Sequence, residues 1–257
     1  MSLGEDLVLD DDLHLSQIQT MWSVVRQAHG NQTVGVESAQ RVLLDRYGGA
    51  VHRYALSALR DEHAADEVFQ EFALKFVRGE FGNVNPERGR FRAFVKTVVY
   101  RLIVDYQRRK KKRMIESPMH SNIAEPLAGA AEGADDELFR VSWRTELLER
   151  CWKNLEEVER ESGKPYHTVL RYRVDHPEAR SPELAEGLSK ALGKPINAGA
   201  VRVLIHRARE EFADILLNEV TDSLSETSLD QAEEELIELG LLDYCRPALE
   251  RRREQNT

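Results

Sequence analysis

The sequence predicts an all-α protein of two small helical domains joined by a flexible linker, with helical extensions at both ends. Three observations carry this expectation. Apolar residues recur at three- and four-residue spacing in one segment after another, the period of a helix with one buried stripe. Residues 114–134 interrupt that pattern with Ser, Pro, Gly, Ala and acid, the composition of a linker. Residues 181–217 then read as helix, short turn and longer helix. With 257 residues, 41% hydrophobic and 32% charged, the chain can bury two cores and is globular rather than disordered.

Composition also removes several function classes. No apolar run approaches the roughly 20 residues that span a bilayer, and the opening MSLGEDLVLDDD is acidic where a secretory signal is basic. A cytoplasmic protein with no membrane partner is therefore expected. Cys151 and Cys245 lie far apart without Cys/His ligand spacing, so both are expected to be reduced, with neither a zinc site nor a disulfide. The sequence offers no paired-carboxylate, Ser/His, Cys/His or phosphate-loop constellation in a plausible setting. No catalytic residue, metal or cofactor is expected.

Taken in order, residues 1–33 form an N-terminal extension. Its run Asp10 to Asp12 reads as a solvated turn or as an acidic arm that shields basic residues. Ile18, Met21, Trp22 and Val25 then mark a short amphipathic helix. The first domain takes residues 34–113. Val36, Leu43, Tyr47, Val51, Tyr54, Ala55 and Ala58 keep the helical period, and residues 60–63 break it. Asp61 is placed to cap the next helix. That helix, from Ala64 to Arg78, buries Val68, Phe69, Phe72, Ala73 and Phe76 and turns Asp66, Glu67, Gln70, Glu71 and Lys75 outward.

The stretch from Pro86 to Arg113 concentrates the basic charge. It holds eleven Lys or Arg against Glu87 and Asp105, inside a chain of net charge −9. Phe91, Phe94 or Val95, Val98, Leu102 and Val104 or Asp105 give one apolar stripe, which leaves Arg92, Lys96 and Arg101 to face a polyanion. Phe94, Tyr100 and Tyr106 lie among these cations. Bases stack on rings while phosphates meet cations, so single-stranded nucleic acid is the ligand this helix suits. The alternative is a solvated basic helix end. Overall acidity argues against indiscriminate nucleic-acid binding, and a partner that delivers the DNA removes the need for it.

Beyond the linker, a second domain spans residues 135–220. Leu138, Val141, Thr145, Leu148, Trp152 and Leu155 mark a helix ended near Gly163, and Val169, Leu170 and Tyr172 or Val174 a shorter one. Ser181 with Pro182 starts a helix, Gly193 stops it, and Asn197 caps the next. There Val201, Leu204 or Ile205, Ala208, Phe212 and Leu216 form the buried stripe. Arg202, His206 and Arg209 share the opposite face, with Arg207 beside them, a set that can enter a major groove. An antiparallel helix pair is the structural alternative. Residues 221–257 form an acidic extension, with ten Asp or Glu against four Arg. Leu229, Ala232, Leu236, Leu239 or Gly240 and Leu241 suggest one amphipathic helix ending at Pro247. It is either packed on the second domain or a regulatory, partner-binding segment.

Two stretches carry a resemblance. FRAFVKTVVYRLIVDYQRR resembles the promoter-melting and minus-ten-reading helix of bacterial RNA polymerase sigma factors of the extracytoplasmic-function group, F-R-x-W-[LV]-x-x-I-[AV]-x-N-x-[LI]-x-D-x-x-R-R. Phe94 stands at the Trp, Val98 at the Ile and Arg101 at the Asn. AADEVFQEFALKFV is similar to the same family's polymerase-docking helix, and the two follow at the family's order and spacing. GAVRVLIHRAREEF resembles its minus-thirty-five recognition helix, with Val203 and Leu204 where Ser and Arg are usual.

The resemblance implies a region 2-like helical bundle, a region 4-like helix-turn-helix, and two partners, core RNA polymerase and promoter DNA. An anti-sigma or other regulatory protein is left open. By this resemblance Asp66, Glu67, Gln70, Glu71 and Leu74 bind the polymerase. Asn85, Arg88, Arg90, Arg92, Phe94, Lys96, Tyr100, Arg101, Arg108 and Arg109 serve the minus-ten strand, and Arg202, His206, Arg207 and Arg209 the upstream duplex. The implied role is noncatalytic. A free-standing helix-turn-helix regulator is the competing expectation.

Overall fold

The computed structural model describes residues 36–78, 80, 90–115, 132–224 and 228–255, and the fold is all-α. In chain order the helices are α1 (Val36–Leu59), α2 (Glu62–Val77), α3 (Phe91–Ile115), α4 (Glu132–Ser162), α5 (Tyr166–Asp175), α6 (Ser181–Ala191), α7 (Ala198–Asp222), α8 (Leu229–Leu239) and α9 (Leu242–Gln255). The N-terminal extension, most of the expected linker, and Asn85 and Arg88 lie outside the described residues.

Several boundaries follow from the capping chemistry expected of the sequence. The Asp61 side chain accepts a hydrogen bond from the Ala64 amide at 3.2 Å, and the Asn197 side chain accepts from the Ala200 amide at 2.8 Å. Each satisfies an amide that the first turn of a helix leaves unpaired. The acidic extension departs from expectation. Two helices stand there instead of one, and Gly240, not Pro247, ends the first. Gly240 takes φ 67°, the left-handed conformation that a residue without Cβ adopts freely, and closes α8. Pro247 sits inside α9, where it removes one backbone donor without ending the helix.

Two buried stripes also shift from their expected register. In α3 the buried residues are Phe91, Val95, Val99, Leu102 and Ile103, while Phe94 and Val98 are half-buried and Asp105 is exposed. In α4 the buried face is Phe139, Trp143, Leu147, Cys151 and Leu155, and the expected Leu138 and Val141 point outward. The reason is a neighbour that the local pattern does not reveal. α4 lies along α1, with Tyr47 stacked on Trp143 at 4.8 Å and Tyr54 edge-on to Phe139 at 5.2 Å, geometries that aromatic pairs favour.

The cores divide the chain differently from the expected 34–113 and 135–220. One continuous core runs through Leu43, Tyr54, Phe72, Phe91, Trp143, Leu216, Leu236 and Leu249. It therefore joins α1, α2, α3 and α4 to the second half of α7 and to α8 and α9. A small second core, Val169, Leu184, Ala185, Leu188 and Val201, belongs to α5, α6 and the start of α7. The C-terminal helices are integral to the large core, with Ala232, Leu236, Cys245 and Ala248 buried in it. Arg251, Arg252 and Arg253 tie α9 to Asp214, Asn218, Asp230 and Glu233.

Candidate nucleic-acid interface

Helix α2 presents Asp66, Glu67, Gln70 and Leu74 to solvent, and Leu74 is 53% exposed. Buried Val68, Phe72 and Phe76 fix the opposite side of the helix in the core, so the exposed set is held on a rigid face. Glu71 differs from its expected outward position. It is half-buried and receives Arg109 Nη2 at 2.6 Å. That hydrogen bond holds the Arg109 pKa above its ordinary value. Lys110 likewise reaches Asp61 at 3.3 Å. The far end of α3 is thus neutralised in part by α2, within the first three helices.

The near end of α3 is neutralised by a different element. Arg90 Nη2 lies 2.6 Å from Glu234 and its Nη1 lies 3.1 Å from Glu235. Arg92 Nε lies 2.5 Å from Glu235, and its guanidinium also meets Glu238. Lys96 meets Asp136 of α4. Burial works against the Arg90 charge, but the Glu235 and Glu238 carboxylates outweigh it and raise the pKa. Arg92 and Lys96 are expected to face a polyanion and Arg90, by the resemblance, to serve the minus-ten strand; in the structure the anions beside all three are the chain's own carboxylates. Tyr100 and Arg101 are exposed on the outer face of α3, and Arg108 is exposed beside Asp105, 3.7 Å away. Phe94 is half-buried against Phe91, with ring centroids 6.2 Å apart.

Helix α7 begins on a second basic surface. Arg202, His206, Arg207 and Arg209 are all exposed, and Val203 stands among them at 49% exposure. Val201 and Ala208 anchor the inner side of this turn. The preceding α6 is positioned by Leu184 and Leu188 and by a close approach at Gly187, where a Cβ would overlap the Tyr172 hydroxyl. Ser189 joins α6 to the turn by accepting from the Ile196 amide at 2.9 Å. These contacts support the start of α7 and leave its cationic side chains exposed.

Sequence reasoning missed the polar seam that links the two halves of the molecule. Glu219, nearly buried, receives Arg46 at 2.7 Å, Arg150 at 3.0 Å and Asn154 at 3.1 Å. Arg46 also approaches Asp222 at 3.5 Å. These residues come from α1, α4 and α7, and their spacing in sequence carries no local signal. A charged residue inside an otherwise apolar stripe, such as Glu219 beside Leu216, Leu217 and Val220, was the available hint.

The family model of Sigma-70 region 2 matches residues 43–113. Residues 43–113 are thus similar to a sigma-70 region 2. The match spans most of α1, all of α2 and nearly all of α3, the unit that carries both the exposed α2 face and the basic helix. It supports an RNA polymerase sigma-70 family factor, with core polymerase and promoter DNA as the partners that region 2 implies. No curated protein and no solved structure matches the chain. Among the described residues, no helix is long and apolar enough to cross a membrane.

Proposed function

We propose that the chain is a cytoplasmic, noncatalytic sigma factor of the extracytoplasmic-function group that brings core RNA polymerase to promoters. The exposed face of α2, with Asp66, Glu67, Gln70 and Leu74, docks on the polymerase. α3 captures the melted minus-ten strand through Phe94, Tyr100 and Arg101, helped by Arg90, Arg92, Lys96, Arg108 and Arg109. Helix α7, preceded by α6 and its turn as a region 4-like helix-turn-helix, reads the upstream duplex with Arg202, His206, Arg207 and Arg209. The observation that supports the reading is the pairing, within the residues that match sigma-70 region 2, of an exposed face on α2 with the ring-bearing basic helix α3. The work is positioning and strand holding, for which rings and cations suffice and no cofactor is required.

The test separates docking from melting. Gln70→Ala with Leu74→Lys should abolish association with core polymerase while thermal stability stays nearly unchanged, as expected at exposed helix positions. Tyr100→Leu with Phe94→Leu should leave closed-complex binding in place and lower permanganate reactivity of unpaired minus-ten thymines. Equal reactivity in the variant and the parent refutes strand capture by these rings. Strong footprints on duplex DNA without polymerase would instead favour a free-standing regulator acting through the open face of α7.

A further inference from the structure

Arg90 and Arg92 introduce the helix assigned to strand capture, and both are held by one face of α8. Glu234, Glu235 and Glu238 surround the two guanidiniums, with Arg90 Nη1 also 2.6 Å from Glu238. Guanidinium recognises carboxylate and phosphate through the same planar fork of donors. Three carboxylates on two cations leave the cluster net negative, as a phosphodiester strand would.

The cluster is not an ordinary surface pairing. The Glu235 side chain is 2% exposed and that of Arg92 14%, so separating them without a substitute leaves desolvated charge uncompensated. The cations can therefore change hands only when another anion receives them and the Glu235 carboxylate they leave is rehydrated or protonated. Helix α8 is a rigid presenter of its acids. Ser228 caps its start, Gly240 closes its end, and Ala232, Leu236 and Leu239 anchor its inner face in the large core. The ties at the far end of α3, Arg109 to Glu71 and Lys110 to Asp61, lie inside the first three helices and do not depend on α8.

We propose that α8 is a built-in competitor of DNA for the first cations of α3. The free chain keeps this end of the strand-capture surface closed, and a single strand must displace Glu234, Glu235 and Glu238 to use Arg90 and Arg92. The proposal rests on the reading of α3 as a strand-binding helix.

The test measures anisotropy of a fluorescein-labelled single-stranded DNA of about 12 nucleotides with full-length proteins. Glu234→Gln with Glu238→Gln is the main variant, because these side chains are 65% and 52% exposed and the fold should persist, as a circular-dichroism melt verifies. Its affinity should rise about ten-fold at low salt, with a steeper salt dependence, because two more cations become available to phosphates. The gain should vanish when Arg90→Ala and Arg92→Ala are added. Glu235→Gln, similar in volume, should give a gain in the same direction. No gain in either variant overturns the proposal, and so does a gain that survives loss of both arginines, which would reflect only lower overall negative charge. A core-polymerase pull-down on the same proteins keeps the two readings apart. An arginine-dependent gain without polymerase association leaves the competitor standing and removes the sigma assignment. Polymerase association without the gain does the reverse.

Discussion

The two basic surfaces of this molecule contain similar residues in opposite circumstances. At the start of α3, Arg90, Arg92 and Lys96 are half-buried and held by carboxylates from α8 and α4. At the start of α7, Arg202, Arg207 and Arg209 are exposed, and His206 only approaches Glu210 at 3.7 Å. The difference lies in what packs nearby. α3 belongs to the large core that also carries α8, while the exposed basic face of α7 is backed by Val201 of the small core and Ala208 of the large one. Cationic residues alone therefore do not define an available nucleic-acid surface; the packing of distant segments decides whether they are already occupied.

The strongest way to break this contrast is at the seam that holds the halves together. Glu219→Ala should cost about 3–5 kcal/mol, because it leaves Arg46 and Arg150 buried beside an empty position. Urea denaturation measures the loss. Cys151 and Cys245 supply a second readout, since both are buried free thiols whose pKa burial pushes up to about 12. They should resist maleimide at neutral pH in the parent and react in the variant, because the reactive form is the thiolate.

A smaller change removes only the open surface. Gly187→Ala pushes a Cβ into Tyr172 and should cost about 1–3 kcal/mol. Duplex binding should fall while single-strand binding by α3 is unchanged, and titration of each DNA form separates the two. Arg202→Ala with Arg209→Ala should alter stability by no more than about 0.5 kcal/mol. It should reduce the slope of log affinity against log salt by roughly 2 in a holoenzyme–promoter assay. Lys96→Ala is the mildest case. Its pair with Asp136 is largely exposed on the acidic side, so a melt should register less than about 1 kcal/mol, and the grip of α8 on Arg90 and Arg92 should persist.

Local features of the fold were the legible ones. Asp61 and Asn197 announce helix starts because a capping bond spans only three residues, and α1 runs from Val36 to Leu59 as its period indicates. The register of α4 was not legible, because Leu138 and Val141 are as apolar as Phe139 and Trp143 and only the rings of α1 decide which pair turns inward. The same holds for the candidate site. The cations of α3 could be read directly, whereas Glu235 lies more than 140 positions away from Arg92, and no periodicity links them. Glu71 was misplaced for a similar reason: its partner Arg109 approaches from another helix.

The distance along the chain between Arg46 and Glu219, 173 positions, has a consequence for biosynthesis. Translation at about 5–20 residues per second leaves roughly 10–35 seconds between the appearance of these two residues. For the part of that interval between the synthesis of Ile115 and that of Ala198, α1, α2 and α3 exist without α7 or α8. Tyr47 and Phe91 then lack Trp143 for part of the time, and Arg90 and Arg92 have no glutamates to hold them. If α3 binds nucleic acid as proposed, the nascent chain should be most adhesive toward it while still beside the ribosome's own RNA, because Glu234, Glu235 and Glu238 reach Arg90 and Arg92 only as the last helices emerge.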